Sequence, residues 1–254
     1  MKISSTYLAF FVISRFLYAA LDPLVQVDPA EVDLKKDVGP SSYYASISNP
    51  PTIEPMASEI VPALSLKNLK GEVVSISSFN GETPLLLISG SISCPIYRTM
   101  IKQIEAIQAQ YGAKIKVFII YTLEAHPALD PSPYTENGSG QWTLAVNLNE
   151  RILVRQPPSY EQRVLNAKAM AERFQLKNEK ILIDEIENPF WNQFGKFPNS
   201  LFLIDSKGMV VFSEAWAGKS IDPESKKTKL ELALENLLPM PRFEPEKSLN
   251  AVVR

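Results

Sequence analysis

The chain has 254 residues, 45% hydrophobic and 21% charged, with a net charge of −2, which suits one large globular domain and offers no basic stripe for nucleic acid. Its one cysteine and one histidine exclude an internal disulfide, a cysteine cage for zinc and a histidine-rich metal site.

Residues 1–20 carry Lys2, an apolar run from Tyr7 to Ile13, then Arg15 and the small pair Ala19-Ala20. That order is similar to a secretory signal or a short membrane anchor. Arg15 interrupts it, because a charge within the apolar region costs about 2.5 kcal/mol or more. An unstructured apolar N-terminus is the rival. The expected location is secreted or membrane-associated, or cytoplasmic if the segment is not a signal. Residues 21–62 are rich in Pro and Ser and have no period, as in a linker or a wrapping arm. The folded domain is expected over 63–240, with 241–254 as a tail.

Leu64 to Leu69 and Val73 to Ile76 flank Lys70-Gly71, which predicts a hairpin. Leu85 to Ser89 is a continuous apolar run, the look of a strand buried on both faces. After Gly90-Ser91-Ile92-Ser93-Cys94, Pro95 suits the first turn of a helix. Ile96, Met100, Ile104, Ile107 and Tyr111 follow at helical spacing, and Gly112 is placed to cap the end. Ile115 to Tyr121 is the next buried strand, followed by Glu124-Ala125-His126-Pro127.

Residues 128–157 hold Pro131, Pro133, Gly138, Gly140 and Pro157, with a weakly strand-like Trp142 to Val146, and read as an insertion near the site. They also contain the sequon Asn137-Gly138-Ser139. Ser159 to Gln162 is a capping-box pattern opening a helix to about Gln175. Lys180 to Ile183 is a strand, and Pro189 to Phe194 a short helix stopped by Gly195. Leu201 to Ile204 and Met209 to Phe212 surround Ser206-Lys207-Gly208, a second hairpin. Asp222-Pro223 is expected to cap a last helix through Leu230, Leu234, Leu237 and Leu238. After the first hairpin the order is β-α-β-α-β-β-α. This predicts an α/β, thioredoxin-like fold: a central mixed sheet with flanking helices and an N-terminal extension.

A strand-helix-strand unit puts the carboxyl ends of its two parallel strands at one edge of the sheet, so Cys94 and His126 should share a site. At a helix N-terminus the free amides and the dipole favour a thiolate, which predicts a reactive Cys94. The alternative is a buried cysteine packed as a small hydrophobe. His126, with an ordinary pKa of about 6.5, could pass a proton at neutral pH. Glu124 would point to the same side if the pleat continues, unless both merely satisfy loop amides. Phe197-Pro198 before the Leu201 strand resembles the thioredoxin-type cis-proline that faces the nucleophile; an ordinary loop proline is the alternative. Trp142, Trp191 and Trp216 either line a pocket or fill core, with core expected for Trp191.

Gly90-Ser91-Ile92-Ser93-Cys94-Pro95 resembles the iodothyronine deiodinase run Gly-Ser-Cys-Thr-selenocysteine-Pro-Pro. Tyr121 to Pro127 resembles that family's Tyr-Ile-Glu-Glu-Ala-His-Pro, and Ser159 to Val164 its Ser-Leu-x-x-Arg-Val, with Arg163 matching. The similarity covers roughly residues 65–238. It implies a thioredoxin-like fold with Cys94 in the place of the selenocysteine nucleophile. It further implies Ser91, Glu124 and His126 as a proton-relay and substrate-orienting set, Tyr121 as a neighbour, and Arg163 as a site-shaping residue; Pro198, site-shaping on the thioredoxin pattern, is a departure from the animal deiodinases. Cysteine in place of selenocysteine makes a weaker nucleophile and a worse leaving group. Ile92 occupies the place of a nearby family cysteine, while Pro157 and Ala217 fall where the family grips iodothyronine with a histidine and an arginine.

The expected activity is a deiodinase-like thiol oxidoreductase, performing reductive dehalogenation or a related reduction. A one-cysteine thiol peroxidase and a non-catalytic thioredoxin-like binding protein are the alternatives. No cofactor is expected beyond an external thiol reductant of the thioredoxin or glutathione type. The expected partners are a small-molecule electrophile and that thiol, with no nucleic acid; membrane association through the N-terminus and a homodimer are left open.

Overall fold

The computed structural model describes residues 22–36, 38, 39, 59–79, 81, 83–215, 217 and 221–238. The expected signal over 1–20, the tail over 241–254 and Trp216 lie outside them. The strands are β1 (Ser65–Asn68), β2 (Val73–Ser75), β3 (Leu85–Gly90), β4 (Lys116–Tyr121), β5 (Ile181–Ile183), β6 (Leu201–Ile204) and β7 (Val210–Glu214). The α-helices are α1 (Pro95–Tyr111), α2 (Ala145–Asn149), α3 (Tyr160–Phe174), α4 (Pro189–Gln193) and α5 (Lys229–Leu237).

The strands form one mixed sheet in the order β2-β1-β5-β4-β3-β6-β7. β3, β4 and β5 run parallel, while β6 pairs antiparallel with β3 and β1 antiparallel with β5. Alternate residues of each central strand face opposite cores, so both faces demand apolar side chains. Leu86, Ile88, Val117, Ile119 and Tyr121 face the core made with α1, α3 and α5. Leu85, Leu87, Phe118 and Ile120 face the second core with Phe190 of α4 and Phe194 just after it. This is the predicted thioredoxin-like α/β fold.

The N-terminal extension packs on the domain. Leu24, Val25 and Val27 are buried, and Val25 bridges Leu153 in parallel. Gln26 Nε2 donates to Asn166 Oδ1 at 2.7 Å, and the Arg155 N–H donates to Gln26 Oε1 at 2.9 Å. Farther along, the Val38 N–H donates to the Gln141 carbonyl at 3.0 Å.

Three local expectations change. Trp142 to Val146 does not form a strand; it leads into α2 instead, the Asn147 N–H donating to the Leu144 carbonyl. Gly112 does cap α1 as expected, its N–H donating to the Gln108 carbonyl at 3.0 Å, though with φ −59° and not in the left-handed conformation; a Cβ there would collide with that carbonyl. The last helix starts later than Asp222. Thr228 caps it in a reciprocal box with Glu231, whereas Asp222 closes a turn by accepting from Ser225. Finally, the Phe197–Pro198 bond is trans, so Pro198 is a buried loop proline and not the cis-proline of the thioredoxin pattern.

Gly90 ends β3 with the Tyr97 ring lying where its side chain would be. Gly90→Ala would drive a methyl into a fully buried ring, so the urea midpoint should fall by the equivalent of about 1–3 kcal/mol. A midpoint equal to wild type would show that the ring has room to move.

Candidate active site

β3 and β4 pair in register up to Gly90 against Tyr121, so the loops that follow them leave the same edge side by side. The Thr122 N–H donates to the Gly90 carbonyl at 3.1 Å, carrying the pairing one step further. Cys94 is the N-cap of α1, in extended backbone geometry with Pro95 in the first turn. Its N–H donates to the Ser91 carbonyl at 3.1 Å, and its carbonyl accepts from the Arg98 N–H at 3.2 Å.

The loop before Cys94 is gripped from two sides. On one side Glu124 Oε2 accepts the Ser93 N–H at 3.1 Å, while Oε1 accepts the Tyr121 hydroxyl and Asn166 Nδ2. Tyr121 in turn accepts the Ile92 N–H at 3.4 Å. Two hydroxyls complete this side: Ser91 Oγ accepts the Ala125 N–H at 3.1 Å and Ser93 Oγ the His126 N–H at 3.0 Å. On the other side Arg98 donates to the Ile92 carbonyl at 2.7 Å and Asn147 Nδ2 to the Ser93 carbonyl at 2.8 Å. Arg98 also bonds Asn147 Oδ1 at 2.9 Å and pairs with Glu150 at 3.1 Å. The N–H and carbonyl of both Ile92 and Ser93 thus meet a fixed side chain, as buried backbone groups require.

Burial sets the protonation states. Cys94 is only 1% exposed. Burial pushes its thiol up to about 11, although the Tyr97 and Ile96 amides and the Arg98 charge pull the other way. The expectation of a helix-stabilised thiolate is therefore corrected: desolvation outweighs the helix N-terminus in this closed structure. Burial likewise pushes His126 down to about 4. Its Nδ1 lies 3.1 Å from the Trp142 carbonyl, an acceptor only, so Nδ1 carries the proton and Nε2 the lone pair. His126 is neutral at pH 7 and is not a ready proton donor there, against the expectation. Burial also raises the Glu124 pKa, with Tyr121, Ser93 and Asn166 pulling it back. Three donors converge on its two oxygens, the arrangement that suits a carboxylate.

The structure brings Cys94, Ser91, Glu124, His126 and Tyr121 together at one edge. The bonds of Ser91 and Glu124 hold backbone, so these two position the cysteine loop. Arg163, fully buried, donates to the Asp184 carbonyl at 3.0 Å, the Glu185 carbonyl at 2.6 Å and Asn188 Oδ1 at 2.8 Å, fixing the turn after β5, while its charge reaches Glu124 and Tyr121. Sequence reasoning missed Arg98 and Asn147. An arginine one turn after the N-cap reads as a solvated charge, and Asn147 sits in the irregular insertion; the position of Arg98, four residues after Cys94, was the available signal. Trp142 contributes its carbonyl and an edge-on ring contact to His126, centroids 4.2 Å apart. Trp191 donates to the Tyr134 hydroxyl at 2.9 Å and packs against the core, as expected. No cluster of metal-ligating groups occurs among the described residues.

The sheet order and the cysteine-bearing loop at its edge define a thioredoxin-like protein with a single thiol. The family is the iodothyronine deiodinases: their family model matches residues 57–232, and the chain belongs to that family of oxidoreductases. The resemblance read from the three sequence runs is thereby borne out. No curated protein matches the sequence. Among solved structures, a thiol:disulfide interchange protein from Bacteroides sp. is similar at 12% identity and TM-score 0.46, over 75% of this chain and 95% of that one. The exposed lipoprotein thioredoxin of Streptococcus pneumoniae matches at 13% identity and TM-score 0.41, over 68% and 99%. A secreted disulfide oxidoreductase of Mycobacterium tuberculosis matches at 12% and 0.41, over 67% and 92%.

The His126 shift gives a stability test. Its folded value of about 4 lies below the free value of 6.5, so between them the unfolded chain binds the extra proton. Stability from this group is full above 6.5 and is lost as pH falls towards 4, by up to about 3 kcal/mol. Asp184, raised to about 6 by burial, acts in the opposite direction over its own range. The readout is therefore the difference in urea midpoint between wild type and His126→Asn, which should shrink as pH falls from neutral to 4; a constant difference would contradict a buried neutral imidazole.

Proposed function

We propose that the protein is a one-cysteine thiol oxidoreductase, in which Cys94 attacks a soft electrophile and an external thiol restores it. The observation that supports this best is the two-sided grip on the loop before Cys94, which fixes the chain's sole thiol at the N-terminus of α1. Two substrate classes fit a thiol nucleophile. With an iodinated aromatic, sulfur bonds iodine as the carbon–iodine bond breaks and the carbon takes a proton; a thiol then displaces iodide to give a mixed disulfide. With a peroxide, sulfur bonds oxygen as the oxygen–oxygen bond breaks, leaving a sulfenic acid that a thiol converts to a mixed disulfide and water. In either case a second external thiol frees Cys94, because the chain has no other cysteine. The reductant is of the thioredoxin or glutathione type.

Neutral His126 enters this scheme through Nε2 as a proton acceptor. Ser91, Glu124 and Tyr121 keep the cysteine loop in place. Placement outside the cytoplasm is part of the proposal and rests on residues 1–20; among the described residues no helix is long and apolar enough to cross a membrane.

The burial of Cys94 supports a second reading, a thioredoxin-like binding protein whose thiol is packing. Dithiothreitol-coupled turnover of a hydroperoxide and of an iodinated phenol separates the two. The oxidoreductase reading expects turnover of at least one substrate and background rates in Cys94→Ser. Equal rates for both proteins would leave only the binding reading.

A further inference from the structure

Among the described residues, three fully buried polar side chains beside Gly90 carry polar atoms with no partner: Tyr97 and Asn199 on the Cys94 face of the sheet, and Thr122, which alternates to the opposite face. Among the described residues the Tyr97 hydroxyl has no hydrogen-bond partner, and neither does the Asn199 carboxamide, at Nδ2 or at Oδ1. Each such buried orphan costs about 1–3 kcal/mol, so groups of this kind in a native fold ask for an occupant or a role.

Their placement converges on one spot. Tyr97 lies three residues after Cys94, where the second cysteine of a C-x-x-C redox pair would stand, and its ring covers Gly90. On the other side of Gly90, β3 and β6 pair Ile88 with Leu201, and the Ser89 N–H donates to the Ser200 carbonyl at 2.8 Å. The next step of that register sets Asn199 opposite Gly90. Opposite residues share a face, and this is the face of Ile88 and Leu201, the same core to which Cys94 and Tyr97 belong. Burial holds the Tyr97 phenol above its usual range, so it serves as a hydrogen-bond donor and acceptor and not as an acid.

The occupant must be small, since Cys94, Tyr97 and Asn199 are all nearly sealed from solvent. It must also both donate and accept hydrogen bonds, to meet a hydroxyl and both ends of a carboxamide. An iodinated aromatic ring fails the first condition. We propose that Tyr97 and Asn199 form the binding site for the oxygens of a small hydroperoxide at Cys94, making hydrogen peroxide the substrate class. This rests on the redox reading of Cys94 above. In the step, sulfur bonds the near oxygen and the oxygen–oxygen bond breaks. The thiol proton ends on the leaving oxygen, giving a sulfenic acid and water; sulfur is oxidised by two electrons and the peroxide reduced. Tyr97 and Asn199 hold the two oxygens in line, and external thiols regenerate Cys94.

The test measures sulfenic acid on Cys94 by dimedone trapping and mass spectrometry, for hydrogen peroxide and for cumene hydroperoxide. Wild type, Tyr97→Phe and Asn199→Leu are compared, with iodoacetamide alkylation of Cys94 and thermal melting run beside them. Wild type should react faster with hydrogen peroxide than with the bulky peroxide. Each variant should lose about tenfold in the hydrogen peroxide rate, the equivalent of one hydrogen bond. Its alkylation should stay unchanged and its melting temperature should equal or exceed wild type, because an orphan has been removed. A purely structural role would move melting and alkylation instead. Unchanged peroxide rates in both variants would overturn the site and leave an ordinary buried water position. Turnover of an iodinated phenol with no sulfenic acid would overturn it too, while the redox reading survived. No oxidation and no turnover in wild type would sink both.

Discussion

The bond from the Ser93 N–H to the buried Glu124 carboxyl is the contact on which the rest of the site depends. Glu124 is fully buried, and a carboxyl without water is tolerable only when donors surround it. Those donors come from three places: the cysteine loop, the end of β4 through Tyr121, and α3 through Asn166. Satisfying one carboxyl therefore locks two strand ends and a helix to each other. Asn166 also accepts from Gln26 of the N-terminal arm, so the extension is tied to the same group at one remove.

The insertion between β4 and α3 completes what Glu124 begins. Asn147 of α2 reaches the Ser93 carbonyl, and the Trp142 carbonyl sets the tautomer of His126. Buried Arg98 joins buried Asn147 and the Ile92 carbonyl to the exposed Glu150 in one network. A segment that looks like an irregular connection is in this way one wall of the site. The cost of such closure is paid in protonation: the same packing that orders Cys94 raises its thiol and lowers His126.

Much of this was legible in the chain itself. β3 and β4 stand out because burial on both faces demands unbroken apolar runs, and α1 because Pro95 starts a helical period that Tyr111 ends. Topology then brings Cys94 and His126 to one edge without any further information. What stayed hidden depends on distant packing. The depth of Cys94 is set by residues from separate elements, and desolvation has no signature in local sequence. Asp222-Pro223 imitates a helix start, yet the Glu231 side chain reaching back to Thr228 places the cap six residues later. Pro198 sits at the place of the thioredoxin-type proline but keeps a trans bond, a choice that its neighbours in sequence do not reveal. Asn199, next to it, reads as an ordinary turn residue until its burial is seen.

The central claim is that Glu124 acts by gripping the cysteine loop. Amide hydrogen exchange at Ser93, compared between wild type and Glu124→Gln, tests it most directly. Exchange at Ser93 should quicken by about ten- to a hundredfold, the loss of one hydrogen bond to a charged group, with the Leu86 and Leu87 amides of β3 unchanged. Equal protection of Ser93 in the two proteins would contradict the account.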